Sequence, residues 1–165
     1  KWDGVICLPG THTKWVQMSA GEIVSFQTFM TGEIFALLST ASVLRHSVGG
    51  EDWEADAFLT AVDEAMSRPE ALAARLFGIR AQDLLHDLQP ASARARLSGL
   101  LVGAELAAAK PYWIGQSIAM IGAQDLCDGY AAALSAQHVP VTRTDASQMT
   151  LAGLKAAYAT WKEPQ

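Results

Sequence analysis

The sequence has little positive charge, few cysteines and no long apolar run, and each shortage excludes a class of protein. Its 165 residues include 12 Lys and Arg against 17 Asp and Glu, which gives a net charge of −5. Nonspecific binding of nucleic acid needs a basic surface, so that class is excluded. No window approaches the roughly 20 consecutive apolar residues that a membrane-spanning helix requires. We therefore expect neither a nucleic acid nor a membrane among the partners.

Histidine and cysteine are too scattered to indicate a metal centre. The four histidines lack the spacing of metal ligands, so we expect no metal site in this chain. Cys7 and Cys127 each lie in an apolar stretch, the first in a predicted strand and the second in a predicted helix. Buried free thiols are expected there, which favours a reducing compartment and a cytoplasmic location.

The first part of the chain reads as strands followed by a helix. Half of all residues are apolar, enough for one well-packed domain. Alternation and turn residues predict strands at residues 5–8, 15–18 and 22–29, joined as an antiparallel meander. Helical spacing of apolar residues then predicts a helix over residues 31–45. Thr31 is its predicted N-cap, and Glu33 lies in the first turn, where the helix dipole favours a carboxylate.

After residue 45, the sequence predicts several helices and then alternating strands and helices. Helical segments are expected at residues 58–66, 71–77, 81–88 and 92–110. The final third predicts a strand at 117–121, a helix at 124–137, a strand at 139–142 and a helix at 147–161. In the helix at 124–137, the inward positions are Leu126, Tyr130, Ala133 and Leu134. A strand–helix–strand–helix run implies parallel pairing with right-handed crossovers.

This order of elements predicts an α/β domain of the ribonuclease H-like type. An antiparallel three-stranded meander is extended by parallel strands. A helical insertion occupies about residues 51–91. In open α/β sheets, ligands bind outside the carboxyl ends of the strands, so the loops at those ends are the first candidates for a site.

The turn at residues 9–14 carries an unusual set of hydrogen-bond donors. Gly10 permits a backbone conformation in which neighbouring amides point outward as an anion nest. Thr11 and His12 add side-chain donors, and Lys14 adds positive charge. These residues predict a phosphate site. The alternative is a turn whose threonines satisfy only local backbone groups.

Two further junctions lie at predicted helix N-termini, where anions and polar ligands are stabilised. Thr31, Gly32 and Glu33 follow the third strand, and their side chains suit a polyol. Gly122 and Ala123 follow the strand at 117–121 and would let a ligand approach the backbone. The alternatives are a capped helix without a ligand in the first case and an ordinary short loop in the second.

Gly99 and Gly103 lie four residues apart in the longest predicted helix and so form a smooth stripe on one face. Each glycine costs about 1 kcal/mol relative to alanine inside a helix. The stripe therefore predicts a close approach, either by another helix or by a ligand.

Three stretches, "LPGTHTKWV", "FMTGEIFALL" and "LSGLLVGAEL", together resemble the 2-dehydro-3-deoxygalactonokinase family. That family belongs to the sugar kinase, heat-shock protein and actin superfamily. The resemblance implies an actin-like ATPase fold, with two ribonuclease H-like lobes around a cleft. It also implies ATP- and Mg²⁺-dependent phosphorylation of 2-dehydro-3-deoxy-D-galactonate at its 6-hydroxyl, a step in galactonate breakdown.

The resemblance further implies a role for each candidate residue. Gly10, Thr11 and His12 would bind the nucleotide phosphates, with added charge from Lys14. Gly99, Gly103, Gly122 and Ala123 would lie on the adenosine side. Thr31, Gly32 and Glu33 would face the substrate.

The family's N-terminal lobe opens with an Asp-x-Gly-Ser/Thr phosphate turn, and this sequence contains none. We therefore expect residues 1–165 to be a single C-terminal lobe whose N-terminal lobe is absent from this chain. The missing lobe would supply the general base, so one lobe alone should be inactive. Its partners would be that lobe, ATP and a small sugar acid.

Two other functions can be weighed against the kinase. A stand-alone actin-like module could bind a nucleotide or an acidic metabolite without catalysis. A nuclease with the same fold is disfavoured, because a two-metal site needs several clustered carboxylates. The predicted strands offer only Glu22, with Asp3 just before them.

Overall fold

A computed structural model describes residues 2–162, and its centre is a five-stranded mixed sheet. The strands are β1 (Gly4–Leu8), β2 (Thr13–Ser19), β3 (Glu22–Phe29), β4 (Ile118–Gly122) and β5 (Val141–Asp145). They lie in the order β3-β2-β1-β4-β5. β2 pairs antiparallel with β1 and β3, whereas β4 pairs parallel with β1 and β5. This confirms a meander extended by parallel strands.

The helices follow the apolar periodicity of the sequence. They are α1 (Thr31–Thr40), α2 (Ala55–Ser67), α3 (Leu72–His86), α4 (Pro90–Ala108), α5 (Lys110–Trp113), α6 (Gln124–Ala136) and α7 (Ala146–Lys162). Short 3₁₀ helices occupy Val43–His46 and Pro69–Ala71. Within the described part of the chain, every helix is too short or too polar to cross a bilayer.

The main core lies between one face of the sheet and helices α2, α4 and α6. Side chains alternate between the two faces of a strand, so every second residue enters this core. The strand residues that do so are Val5, Cys7, Trp15, Ile118 and Met120. Both cysteines are buried free thiols, as predicted. Tyr130, Ala133 and Leu134 of α6 face inward as predicted, whereas Leu126 is exposed and its inward assignment is wrong.

A second cluster of apolar side chains joins α2, α3, α4 and the first 3₁₀ helix. Leu97 and Leu100 of α4 lie against Ile79 of α3 and Leu44 of the 3₁₀ helix. The stretch predicted as a helical insertion, at about residues 51–91, contains α2 and α3. Of these, α2 also reaches the main core through Phe58 and Val62, so α4 is packed between two apolar clusters.

Several predicted boundaries differ from the structure, most clearly in three places. The helix predicted over 31–45 stops at Thr40, because Ser42 is extended and its hydroxyl accepts from the amide of Leu44, starting a separate 3₁₀ turn. The two helices predicted at 71–77 and 81–88 are one helix, α3, which continues through Gly78. The last strand begins at Val141, beyond its predicted start, because Pro140 has no amide hydrogen for the sheet.

Candidate functional site

The turn after β1 and the first turn of α1 lie against each other. The amide of Glu33 donates to the carbonyl oxygen of Thr11 at 2.9 Å. A Cβ atom on Gly32 would come within 3.0 Å of the carbonyl oxygen of Gly10, so a side chain at this position would collide with the turn. Two of the sequence-predicted sites, which are separated along the chain, therefore form one surface.

The outer side chains of the 9–14 turn are exposed and polar. Thr11, His12 and Lys14 all reach solvent. The Nε2 atom of His12 lies 2.5 Å from Oε2 of Glu33, and both side chains are about half-exposed. Lys14 Nζ donates to the carbonyl oxygen of His12 at 3.0 Å, which places its ammonium group beside the turn. An exposed hydroxyl, an imidazole and an ammonium group thus lie together at the end of β1.

The third predicted site, at the end of β4, is adjacent to the same turn. β1 and β4 are parallel neighbours, so their carboxyl ends meet at one edge of the sheet. A Cβ atom on Gly122 would lie 3.1 Å from the carbonyl oxygen of Pro9. Ala123 is the exposed N-cap residue of α6. A cavity of about 320 Å³ opens beside Gly122 and extends to Arg143 and Asp145 on β5.

The glycine stripe of α4 is buried beneath α2. A Cβ atom on Gly99 would fall within 3.0 Å of the carbonyl oxygen of Phe58, and one on Gly103 equally close to that of Val62. Of the two alternatives for this stripe, helix packing accounts for both glycines. Both glycines are buried, so the adenosine side to which the resemblance assigns them could be reached only indirectly.

Thr31 differs from its prediction in two respects. Met30, not Thr31, is the N-cap residue of α1, so the capping assignment is wrong. The Thr31 hydroxyl instead donates to Oε2 of Glu105 on α4. A carboxylate is a stronger hydrogen-bond acceptor than a neutral oxygen, and this contact turns the Thr31 side chain towards the interior. Its hydroxyl hydrogen is therefore not available to a polyol at the surface.

The sequence reasoning missed a buried group of polar side chains directly beneath the site. Glu105 is only 3% exposed. It accepts hydrogen bonds from Trp15 Nε1 at 2.8 Å, from Tyr130 Oη at 2.7 Å and from Thr31. Tyr130 Oη is also 3.0 Å from Thr13 Oγ1. We call these five residues the Glu105 network. The available signal was weak: Glu105 is the single acidic residue of α4 and stands in an apolar run.

Burial and hydrogen bonding act in opposite directions on the Glu105 carboxylate. Removal from water raises the pKa of Glu105, and hydrogen bonds from Thr31, Trp15 and Tyr130 lower it, with a net increase. Burial likewise raises the pKa of Tyr130 well above its ordinary value. The buried polar side chains beneath the site are thus joined to one another by hydrogen bonds, which favours a rigid arrangement.

Comparisons with known proteins agree on one family. The family described as 2-keto-3-deoxy-galactonokinase matches residues 1–157. A probable 2-dehydro-3-deoxygalactonokinase of Rhizobium meliloti (strain 1021) is 38% identical over 157 residues, which are 93% of this chain and 51% of that protein. The 2-dehydro-3-deoxygalactonokinase of Escherichia coli (strain K12) is 34% identical over 149 residues, which are 90% of this chain and 51% of the relative.

A solved structure agrees with these sequence matches. The crystal structure of a protein assigned as a 2-dehydro-3-deoxygalactonokinase, from Sinorhizobium meliloti, superimposes with a TM-score of 0.90 at 37% identity. The superposition covers 97% of this chain and 55% of that one. The chain therefore spans about half the length of the relatives that it matches.

Proposed function

The chain belongs to the 2-keto-3-deoxy-galactonokinase family, and we propose that it is the C-terminal lobe of a two-lobed sugar-acid kinase. The whole protein would transfer phosphate from ATP, with Mg²⁺, to the 6-hydroxyl of 2-dehydro-3-deoxy-D-galactonate in the cytoplasm. Two relatives named as 2-dehydro-3-deoxygalactonokinases support this reaction. Each is about twice as long as the part that matches this chain, which supports a second lobe.

We assign the fold to the ribonuclease H-like, actin-like ATPase class, as a single lobe. The sheet order β3-β2-β1-β4-β5, with only β2 antiparallel to its neighbours, supports this assignment. In the proposed lobe, α2 and α3 are the helical insertion at about residues 51–91. The ends of β1 and β4 would then face the cleft between the lobes.

The observation that carries the phosphate role is the exposed, donor-rich 9–14 turn at the joined ends of β1 and β4. A Cβ atom on Gly10 would meet nothing within 4 Å, so a phosphate group has room to approach the backbone there. We assign to Thr11 a hydroxyl hydrogen bond to a phosphate oxygen, and to His12 a second donor that would exchange its contact with Glu33 for the phosphate. Lys14 would reduce the local negative charge. Charge-assisted bonds of this kind are the strong ones.

The nucleoside would lie farther along the same edge. Gly122 and Ala123, beside the cavity that reaches β5, fit the adenosine side. Gly99 and Gly103 would contribute there indirectly, by letting α2 pack closely on α4. Gly32 and Glu33 would face the sugar acid, with Thr31 fixing the start of α1 from within.

Mg²⁺ and the general base would depend on the other lobe. Among residues 2–162, no group of three or more His, Cys, Asp or Glu side chains could hold a metal ion. When bound, Mg²⁺ offsets the negative charge of the nucleotide phosphates, and the phosphates would be its main ligands. Positioning of ATP is the contribution of this lobe, and we expect the lobe alone to be inactive.

The test is Thr11→Ala in the full-length protein, assayed for ATP-dependent phosphorylation of the sugar acid. Loss of a hydrogen bond to a charged group costs about 1.5–3 kcal/mol. We therefore expect kcat/KM for ATP to fall by about 10-fold or more. Thr60→Ala, on the exposed face of α2, is the matched control and should leave kcat/KM unchanged. Unchanged turnover in Thr11→Ala would remove the support for the phosphate role.

A second measurement distinguishes the kinase from a binding module. The coding sequence upstream of residue 1 should continue into a lobe that opens with an Asp-x-Gly-Ser/Thr turn. If the full-length protein binds ATP yet transfers no phosphate to the sugar acid, the kinase proposal is wrong and the non-catalytic module is correct.

A further inference from the structure

We propose that Glu105 is a positioning residue that holds the 9–14 turn and the start of α1 in one fixed arrangement. This role rests on the proposed function, because it matters only if the turn binds phosphate. Glu105 itself reaches neither solvent nor the site surface. It acts through other side chains, and its effect is on where Thr11, His12 and Glu33 lie.

The contacts of Glu105 come from three different elements. Its Oε1 atom accepts from the indole of Trp15 on β2, at 2.8 Å. Its Oε2 atom accepts from Tyr130 on α6, at 2.7 Å, and from Thr31 on α1. A single carboxylate of α4 thus joins the sheet, α6 and α1 beneath the 9–14 turn.

The hydrogen bonds have a defined direction. When Glu105 is ionised, Tyr130 donates its one hydroxyl hydrogen to it, so Thr13 is then the donor in the 3.0 Å contact between Thr13 and Tyr130. In that form, every hydrogen-bonding hydrogen of the network points towards Glu105.

The two ends of the network lie in the two halves of the proposed site. Thr13 is completely buried and directly follows His12 in the 9–14 turn. Thr31 directly precedes Gly32 and Glu33 at the start of α1. At the surface, these halves are joined by the bond from the Glu33 amide to the Thr11 carbonyl. The Glu105 network provides a second, interior connection between them.

A stabilising role alone does not explain a carboxylate at this position. Apolar side chains of similar size often replace buried ions without loss of stability, because a buried charge carries a large desolvation cost. A carboxylate differs from an apolar group in that it fixes the direction and distance of each donor. Such directional control is what placing a phosphate-binding turn requires, since small misplacements of binding groups reduce turnover strongly.

The primary experiment compares Glu105→Gln with Glu64→Gln in the full-length protein. Glu64 on α2 accepts from Arg75 and lies 3.9 Å from Arg96, and neither arginine belongs to the Glu105 network, so its substitution removes a carboxylate and leaves the bonds of that network in place. Steady-state kinetics with ATP and the sugar acid are measured for both. We expect kcat/KM for ATP to fall by about 10-fold or more in Glu105→Gln and to stay within about twofold in Glu64→Gln.

A second readout does not depend on activity. Hydrogen–deuterium exchange without ligand is followed by mass spectrometry in peptides that cover the amide of Glu33. Because that amide donates to Thr11, exchange there should become several-fold faster in Glu105→Gln and remain unchanged in Glu64→Gln. Equal exchange in Glu105→Gln and wild type would overturn the inference.

Tyr130→Phe keeps the experiment decisive if Glu105→Gln does not fold. This change removes only the hydroxyl between Thr13 and Glu105, so it should produce a smaller loss in the same direction. Combined with Glu105→Gln, its effect should be less than additive. Fully additive losses, or an unchanged kcat/KM in Tyr130→Phe, would contradict the inference. If wild-type protein transfers no phosphate, the proposed function fails, and the exchange data still decide the role of Glu105.

Discussion

A Cβ atom on Gly32 would lie within 3.0 Å of the carbonyl oxygen of Gly10, which is closer than real Cβ atoms approach a backbone. The first turn of α1 can pack against the 9–14 turn only because residue 32 lacks a side chain. The two segments have little freedom to adjust, since the Glu33 amide also bonds to Thr11.

Gly32→Ala should therefore displace the 9–14 turn from the start of α1. We expect the free energy of unfolding to fall by about 1–3 kcal/mol, as in other overpacked sites. Phosphate transfer from ATP should fall as well, because the turn no longer lies in its binding position. The measurements are urea unfolding and steady-state kinetics of the full-length protein.

Gly78→Ala is the matched control for that substitution. A Cβ atom there meets nothing within 4 Å, and the residue lies inside α3. Alanine favours helix more than glycine does, so stability should rise by about 0.5–1 kcal/mol. An equal loss of stability in both variants would mean that the contact with Gly10 is not the cause.

The packing of α2 on α4 gives a second prediction. Gly103→Ala should lower the free energy of unfolding by about 1–3 kcal/mol, because the new methyl group would collide with the backbone of α2 at Val62. Gly153→Ala in α7 meets no atom within 4 Å and should not destabilise. A Gly103→Ala variant as stable as wild type would show that α2 can move away at little cost.

The raised pKa of Glu105 predicts how stability depends on pH. Burial raises it from the ordinary value of 4.5, although hydrogen bonds from Thr31 and Trp15 oppose the shift. The folded state then binds a proton more tightly than the unfolded state. The stability that Glu105 contributes through this tighter proton binding is fully present below pH 4.5. It is lost as the pH rises through the pKa of Glu105 in the folded state.

Glu105→Gln should remove that dependence. The difference in unfolding free energy between wild type and Glu105→Gln should be largest in acid and should decrease as the pH rises. The nearby Tyr130 and Cys7 have pKa values raised well above their ordinary ones by burial, so they stay neutral through the acid range. Urea unfolding from about pH 4 to pH 8 measures the trend. If the difference in unfolding free energy between wild type and Glu105→Gln grew with pH, the pKa of Glu105 would not be raised in the folded state.

Both cysteines should resist thiol reagents in the folded protein. Cys7 and Cys127 are buried, and burial raises the pKa of each thiol, so little reactive thiolate is present. Peptide mapping after treatment with a thiol reagent should find Cys7 and Cys127 fully labelled in denatured protein and only slowly labelled in native protein. Rapid reaction of either thiol in native protein would contradict the burial described for these side chains.

Local patterns predicted most of the elements and the loops that are candidates for the site. The strand predicted at residues 22–29 coincides with β3, because alternation and flanking turn residues are properties of the local sequence. The loops after β1 and β4 were candidates because ligands bind outside the carboxyl ends of strands in open α/β sheets, and the parallel pairing of these strands places both loops at one edge. The structure adds that the 9–14 turn also contacts the start of α1.

The interior connections could not be predicted from those patterns. Glu105 bonds to a side chain on β2 and to another on α6, and nothing in the spacing of residues 99–109 identifies such partners. The glycines of α4 signalled a close approach, but spacing alone could not distinguish a helix from a nucleotide. Thr31 was assigned to capping because Thr commonly caps helices, whereas tertiary contact with Glu105 determines its orientation.

The central position of β1 also constrains how the protein is made on the ribosome. Val5 pairs with Ile118, so the inner edge of β1 has no partner until most of the chain has been translated. β1, β2 and β3 can form early, since they are joined by short turns, but the nascent meander then exposes unpaired amides and carbonyls. A polypeptide truncated before β4 would keep that edge permanently open and should self-associate along it.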